Sequence, residues 1–295
     1  MAEVKELYAS YIANCVFNVY LSYTAIMLNS VTIHALRKAA LLPKPLKTLL
    51  LSLTVSDLGV GLIVQPLHVA VMAMELTTNT QSSSTSTAYN ARLTTGGLFV
   101  YASFLGGMAL SADRFLAIHL HLRYQEIVTQ KRAVVAVISI WVFSAFLSVI
   151  ELWIPRNASH AILAIIAISC LLATTLLHYR IYLAVRRHAN QISQAQQVQQ
   201  TAQNGEMENA ARLRKFAVGA FFVYLAFLIC YLPRLCSFVV IKFSETTTTE
   251  MVWSLYTVTL VFLNSSLNPL IYCWKMRHIR HAFMETIRNI FRGRY

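Results

Sequence analysis

The stretch LVFLNSSLNPLIYCW, residues 260–274, places polar side chains and a proline inside an apolar run of the length expected for a membrane helix. Proline lacks a backbone N–H donor, and an amide buried in hydrocarbon is costly unless it finds a hydrogen-bond partner. Polar residues in membrane helices are therefore usually kept for function. The stretch predicts a functional break in a membrane-spanning helix at Asn264, Ser265, Ser266, Asn268 and Pro269.

The composition indicates a membrane protein. The 295 residues are 57% hydrophobic and 13% charged, with a mean hydropathy of +0.54, whereas soluble domains are about 25% charged. Seven apolar segments are each near or above the roughly 20 residues that cross a bilayer as a helix. We name them spans 1 to 7, and they cover about residues 8–36, 46–74, 88–121, 131–154, 159–187, 212–242 and 250–274. We therefore predict an all-α membrane protein with a seven-transmembrane helix bundle in residues 1–274.

The net charge of +13 is arranged by membrane side. If the N-terminus is outside, all but five of the 25 Lys and Arg residues lie on the inner side. The five exceptions are Lys5, Arg92, Arg156, Arg234 and Lys242. This bias follows the positive-inside rule and predicts an extracellular N-terminus and a cytoplasmic C-terminus. The positive charge is thus explained by topology, and we predict no nucleic-acid partner.

Residues 275–295 predict an amphipathic helix with a short cytoplasmic tail. Apolar residues recur at spacings of three and four among cations, at Met276, Ile279, Phe283, Ile287 and Ile290. Such a helix lies on the inner membrane surface and contacts membrane lipids. A simple basic anchor is the alternative.

All five cysteines fall within the predicted spans, and the outer loop between spans 2 and 3 contains none. We therefore predict no disulfide framework in the loops. Cys15 and Cys236 stay open as a pair.

Four polar residues on different spans share one depth in the membrane. Counted from the inner ends at ~1.5 Å per residue, Asn29, Asp57, Ser103 and Asn264 lie about 12–17 Å deep. Oxygen ligands around one carboxylate suit a monovalent cation such as sodium, or bound water. The alternative is a hydrogen-bond cluster that only holds the helices together.

Charged residues also mark both ends of the bundle. Arg92 and Arg234 share an outer depth, where an unpaired cation is costly. They predict either internal salt bridges with Glu75 or Glu151, or a cavity that receives an anionic group.

At the inner end, Arg114 follows Asp113 on span 3. The arginine could simply reach the interface, or it could meet Tyr179 and Tyr272 in a switchable network.

These motifs resemble class A, or rhodopsin-like, G-protein-coupled receptors over nearly the whole chain. The resemblance rests on Asn29 in LNSVTIHAL, Asp57 in LSLTVSDLGVG, Asp113-Arg114-Phe115 in SADRFLAIHLHLRY, Trp141 in ISIWVFSAF, Tyr231 and Pro233 in CYLP, and Asn268, Pro269 and Tyr272 in NSSLNPLIY. It implies a plasma-membrane receptor that passes binding of an extracellular ligand to a heterotrimeric G protein, with arrestin as a further partner. It implies no enzyme activity and no cofactor beyond an allosteric sodium ion at Asp57.

The resemblance also assigns residues to three sites. The activation switch and G-protein contact would comprise Asp113, Arg114, Leu122, Tyr179, Tyr231, Pro233, Asn268, Pro269 and Tyr272. The sodium pocket would comprise Asn29, Asp57, Ser103, Asn264, Ser265 and Asn268. The ligand-binding residues would be Arg92, Gly96, Val100, Tyr231, Arg234, Phe238 and Val258.

Departures from the family pattern indicate which branch of receptors the chain resembles and how strongly it signals without ligand. The usual disulfide cysteine of span 3 aligns with Tyr89, and the proline of span 5 aligns with Leu171, as in the branch of melanocortin, cannabinoid, lysophospholipid and adenosine receptors. Leu213 replaces the acidic residue that can pair with the span 3 arginine, so we expect raised basal signalling.

The possible classes of ligand are limited mainly by exclusion. Phe262 replaces the retinal lysine of opsins, and Gly96 replaces the aspartate of aminergic receptors. Arg92 aligns with the head-group arginine of lysophospholipid receptors, which favours an anionic lipid or other acidic ligand.

Other classes of protein explain the sequence less well. A receptor that binds ligand without G-protein signalling is the first alternative. A seven-helix transporter or channel would need inverted repeats or paired broken helices, which the sequence does not show. A membrane enzyme would need a catalytic motif such as HExxH or GxSxG, and none occurs.

Overall fold

The computed structural model describes residues 2–39, 42–78, 87–120, 123–196, 221–239 and 248–275, together with positions 280, 281, 283–285 and 288. Within these residues the chain is helical and contains no strand. The helices are Ala2–Lys38 (span 1), Lys44–Gly59, Val60–Val64 and Gln65–Thr78 (span 2), Thr87–Leu120 (span 3), Tyr124–Ile127, Gln130–Ile150 (span 4), Arg156–Gln196 (span 5), Phe221–Val239 (span 6) and Thr248–Lys275 (span 7).

Spans 1 to 6 are long and apolar enough, among the described residues, to cross a membrane by length and composition. Span 7 has 28 residues, and the polar side chains of Asn264 and Asn268 lower its hydropathy. This is the stretch that the sequence marked as a break, yet the helix continues through Pro269.

Several predicted boundaries moved or fall outside the described residues. Span 5 continues to Gln196 rather than ending at residue 187. The predicted limits of span 6, 212 and 242, lie outside the described residues, as do Leu122 and Leu213. Most of the predicted tail helix also lies outside them, so that helix stays a prediction.

The core lies between spans 1, 2, 3, 5, 6 and 7, and span 1 contributes Leu36 at its inner end. Its centre is an aromatic group in which Phe104 packs on Tyr231 at 4.9 Å between ring centroids, and Phe227 stacks on Tyr231 at 5.4 Å. Large apolar side chains on spans 4 and 5, such as Val142 and Ile165, are more than 60% exposed. Their exposure is expected of surfaces that face lipid rather than water.

Span 2 is interrupted by one π-helical segment, Val60–Val64. Such a segment frees backbone groups from the regular ladder, and here Ser22 donates its hydroxyl to the carbonyl of Gly61 at 2.8 Å. The segment changes the rotation of the outer half of span 2 and leaves Gln65 and His68 buried.

All five cysteines are free. Cys15 and Cys236 are therefore not a pair.

Candidate ligand cavity and polar switch

Asp57 is the centre of a buried polar pocket between spans 2, 3 and 7. Ser103 donates its hydroxyl to one carboxylate oxygen at 2.7 Å, and Asn268 donates its amide to the other at 2.8 Å. Asn264 is fully buried, and neither of its amide atoms has a partner in the described part of the chain. The pocket therefore brings a carboxylate together with an amide that still needs a partner.

Asn29 does not contact Asp57, although its depth in the membrane suggested that both belong to one pocket. Its amide donates to the backbone carbonyl of Ser265 at 2.9 Å and to that of Ala25 at 2.8 Å. Ser265 is four residues before Pro269, so its carbonyl is the one left without a helical N–H donor. Asn29 thus completes the backbone of span 7 rather than binding Asp57.

At the inner end of span 3, Asp113 is engaged from two sides. Arg114 donates through Nε at 3.0 Å and forms an ion pair with the same carboxylate oxygen. Tyr124, on the short helix after span 3, donates its hydroxyl to the other oxygen at 2.7 Å. Burial raises the pKa of Tyr124, and its hydrogen bond to Asp113 raises it further. The phenol therefore stays protonated as a donor.

Two predicted members of the inner network do not meet Arg114 in this conformation. Tyr272 is buried, and its hydroxyl has no partner among the described residues. Tyr179 is 57% exposed and lies on the outward stripe of span 5 with Leu172 and Leu176. The rotation of span 5 thus directs Tyr179 toward the outer surface of the helix rather than toward Arg114.

A cavity of about 220 Å³ opens in the outer half of the bundle. Its walls include all of the ligand-binding residues that the sequence suggested, namely Arg92, Gly96, Val100, Tyr231, Arg234, Phe238 and Val258. Tyr101, His160 and Glu151 add polar groups to walls that are otherwise mainly apolar. The geometry suits an amphiphilic molecule with one polar end.

The two arginines of this cavity are held by neutral groups. Arg92 Nη1 lies 3.3 Å from His68 Nδ1, and its Cζ lies 4.9 Å from the ring centroid of Tyr89. Arg234 donates to the hydroxyl of Ser254 at 2.9 Å, and its Cζ lies 4.3 Å from the ring centroid of Phe238.

Glu151, the acidic residue of the cavity wall, accepts a hydrogen bond from Tyr101 and forms no ion pair with Arg234. Among the described residues, two guanidinium groups therefore line the cavity against one carboxylate, so the charge of this lining favours an anion.

Sequence reasoning missed a second polar cluster in the outer half of the bundle. Asn14 and Asn18 of span 1 are fully buried and donate to Thr259 of span 7 at 2.8 and 3.0 Å. Two amides four residues apart share one face of a helix, and that spacing was the available signal. Tyr124 and Ser254 were also missed, because short loops and single serines carry no pattern.

Comparison with known proteins decides the family. The family model described as "7 transmembrane receptor (rhodopsin family)" matches residues 28–272. The chain belongs to this family. The resemblance to class A receptors is thereby confirmed, and with it the seven-transmembrane bundle of a multi-pass receptor of the plasma membrane.

Curated relatives include receptors for different messengers. The chain is 26% identical to melanocortin receptor 5 of Ovis aries over 64% of this chain and 57% of the relative. It is 24% identical to cannabinoid receptor 1 of Taricha granulosa, covering 63% and 46%. It is 26% identical to octopamine receptor beta-1R of Drosophila melanogaster, covering 65% and 46%. The chain thus spans about half the length of these relatives.

Proposed function

We propose that the protein is a G-protein-coupled receptor for an extracellular anionic amphiphile. The observation that carries this proposal is the outer cavity, where Arg92 and Arg234 face mainly apolar walls. An acidic head group would lie between the guanidinium groups, since charge-assisted hydrogen bonds to Arg are strong and directional. An apolar tail would fill the depth of the cavity toward Phe104 and Tyr231.

The relatives differ in the ligands that their names state, so they do not select one. Octopamine is an amine, and Gly96 supplies no counter-ion for an amine where aminergic receptors carry aspartate. The arginine pair argues for the opposite ligand charge.

The signal would be transmitted to the G protein at the inner ends of spans 3 and 6. Ligand binding favours an arrangement with span 6 displaced outward near Pro233, through its higher affinity for that state. Breaking the contact between Asp113 and Arg114 would free the guanidinium for the C-terminal helix of the G protein. Leu122 would add an apolar contact, and arrestin would use the same inner surface.

A sodium ion fits the pocket at Asp57. The chemistry of the donor set supports it, because a buried carboxylate lies among hydroxyl and amide groups, and Asn264 and Asn268 keep carbonyl oxygens without a partner in the described chain. Sodium, when bound, neutralises the carboxylate and favours the inactive state, so sodium and agonist oppose each other reciprocally. No described cluster of three or more His, Cys, Asp or Glu residues offers a site for another metal.

The proposal is tested by nucleotide exchange on purified G proteins of several types, with receptor in lipid nanodiscs. The panel should contain lysophospholipids, fatty acids, amines, nucleosides and peptides. We expect activation by acidic amphiphiles, and we expect Arg92→Ala and Arg234→Gln to abolish it. Arg37→Gln, an exposed inner arginine, serves as the control for loss of positive charge. An unchanged response in both cavity variants would contradict the anionic ligand, and no response to any ligand with any G protein would favour a receptor that does not signal.

A further inference from the structure

Glu151 is a buried acidic side chain in the wall of the outer cavity, and no described residue neutralises its charge. It is 8% exposed and lines the cavity together with Arg92 and Arg234. The neutral hydroxyl of Tyr101 donates to one carboxylate oxygen, and the other oxygen accepts no hydrogen bond from a described residue. A buried carboxylate without a cation is costly. Glu151 therefore calls for a positive charge that the described chain does not supply.

The position of Glu151 on span 4 makes its charge less favourable still. Glu151 directly follows Ile150, the last residue of that helix, and the carbonyl groups at a helix C-terminus carry partial negative charge. One turn earlier, Ser148 donates its hydroxyl to the backbone carbonyl of Thr94 on span 3. This contact fixes the end of span 4 against span 3, so the carboxylate stays beside the cavity.

Tyr101 is also fixed at this side of the cavity. Side chains of a helix lean toward its N-terminus, so the ring of Tyr101 lies against Gly97, one turn earlier on span 3. A Cβ at Gly97 would be 3.0 Å from Cε2 of that ring. Because glycine leaves this space open, the phenol can reach Glu151 on span 4.

The cationic groups of the cavity are directed to other helices. Arg92 contacts His68 of span 2, and Arg234 donates to Ser254 of span 7. Nε of Arg92 is buried and has no hydrogen-bond partner in the described part of the chain. The polar lining thus has a basic side toward spans 2 and 7 and an acidic side between spans 3 and 4. A ligand with charge of one sign would satisfy only one of these sides.

We propose that the ligand of the outer cavity is a zwitterionic amphiphile. A protonated amine of its head group donates to Glu151, while acidic groups of the same head group accept from Arg92 and Arg234. This inference rests on the proposed function and narrows its ligand class. Two guanidinium groups and one carboxylate are complementary to two acidic groups and one amine, so the net charge of the ligand stays negative. A lysophospholipid with a phosphoserine head group has this composition.

The test compares lysophosphatidylserine with its N-acetyl derivative, which keeps both acidic groups but loses the positive charge. Each competes with tritium-labelled lysophosphatidylserine for receptor in lipid nanodiscs, and empty nanodiscs give the background. Native receptor should bind the form with the free amine about ten- to hundredfold more tightly, because the amine forms a charge-assisted hydrogen bond to a buried carboxylate. Glu151→Gln should abolish this preference by weakening the binding of lysophosphatidylserine alone.

Two further variants make the test specific. Glu126→Gln removes an exposed carboxylate from the short helix after span 3, so it is the matched control and should keep the full preference. Tyr101→Phe removes the neutral donor but leaves the charge of Glu151, so it should keep the preference as well. Thermal denaturation of each variant without added lysolipid checks that folding is unchanged.

The outcomes separate this inference from the function on which it rests. Equal binding of the two lysolipids to native receptor, with both lost in Arg92→Ala, would overturn the zwitterion and leave the anionic amphiphile in place. A preference that persists in Glu151→Gln would overturn the role of Glu151. If neither lysolipid binds, or if both bind unchanged to Arg92→Ala and Arg234→Gln, the proposed function fails and this inference fails with it.

Discussion

Asn29 donates its side-chain amide to the backbone carbonyl of Ser265 at 2.9 Å. This carbonyl lies one helical turn before Pro269, which has no N–H to offer it. A side chain from span 1 therefore replaces the missing backbone donor of span 7. The break that the sequence showed is thus closed by a neighbouring helix, and span 7 stays continuous through its proline.

The Asn29→Ala variant should be markedly less stable than the native chain. It leaves a buried carbonyl unsatisfied, which costs about 1–3 kcal/mol. The measurement is the Tm of purified receptor in detergent. Thr24→Ala, which removes a hydroxyl bonded only within its own helix, is the control and should change the Tm little.

The Pro269→Ala background makes this test specific. Alanine restores the N–H that the carbonyl of Ser265 lacks, so Asn29→Ala should cost less in that background than in the native one. Equal losses in the two backgrounds would show that Asn29 stabilises the bundle by some other contact.

Sodium should stabilise the receptor through Asp57. At a sodium concentration ten times the Kd, binding adds about 1.4 kcal/mol to stability. The Tm should therefore be higher in sodium chloride than in choline chloride of equal ionic strength, and Asp57→Asn should remove the difference.

Asn264→Leu separates an ion site from a mere packing cluster. If Asn264 serves a bound cation or its water, the leucine variant folds but loses most of the sodium effect. If the amide is only buried, replacing it with an apolar group is neutral or stabilising, and the sodium effect persists. A native receptor without any sodium effect would refute the site.

Basal signalling should respond to the contacts around Asp113. We expect native receptor to raise second-messenger levels above mock-transfected cells, because Leu213 provides no acidic partner for Arg114. Tyr124→Phe removes a hydrogen bond to a charged group, worth about 1.5–3 kcal/mol, and should raise basal signalling further.

Tyr182→Phe is the control for Tyr124→Phe, since Tyr182 is an exposed tyrosine of span 5. Expression at the cell surface must be matched between variants. Native signalling at the mock level would contradict the expected basal activity, and an unchanged Tyr124→Phe would show that its hydrogen bond does not restrain the switch.

Depth was predictable from the sequence, whereas the direction of a side chain was not. Helical rise is nearly constant, so counting residues placed Ser103 level with Asp57, to which it donates its hydroxyl. Rotation about the helix axis depends on packing, and this explains why Tyr179 faces outward instead of joining Arg114. The π segment of span 2 likewise has no sequence signature of its own.

For the outer cavity, the lining residues were predictable from the sequence, whereas the contacts of their side chains were not. The order of motifs along the chain fixed which residues line it, because the helices of this family meet in a constant arrangement. The partners of the two arginines were not predictable. Arg234 contacts Ser254 and Arg92 contacts His68, because these side chains lie within reach of the guanidinium groups. Charge alone suggested Glu151 as a partner, but Glu151 accepts a hydrogen bond from Tyr101 instead.

Gly59 and Gly96 should differ in how well they tolerate substitution by alanine. A Cβ at Gly59 would overlap the ring of Phe99. That ring cannot easily move, because it packs edge-to-face on Trp141 at 5.9 Å, and the indole is fixed by donating to Ser52 at 3.0 Å. A Cβ at Gly96 would meet only Val64, at 3.5 Å, which is ordinary contact.

We therefore expect Gly59→Ala to lower stability by about 1–3 kcal/mol, the usual cost of overpacking a filled core, and Gly96→Ala to fold normally. The Tm and the yield of monomeric receptor measure both effects. Because Gly96 lines the outer cavity, its alanine variant should also weaken the response to a bulky ligand while basal signalling stays unchanged. A stable Gly59→Ala would mean that spans 2 and 3 separate more readily at Phe99 than the packing of Trp141 implies.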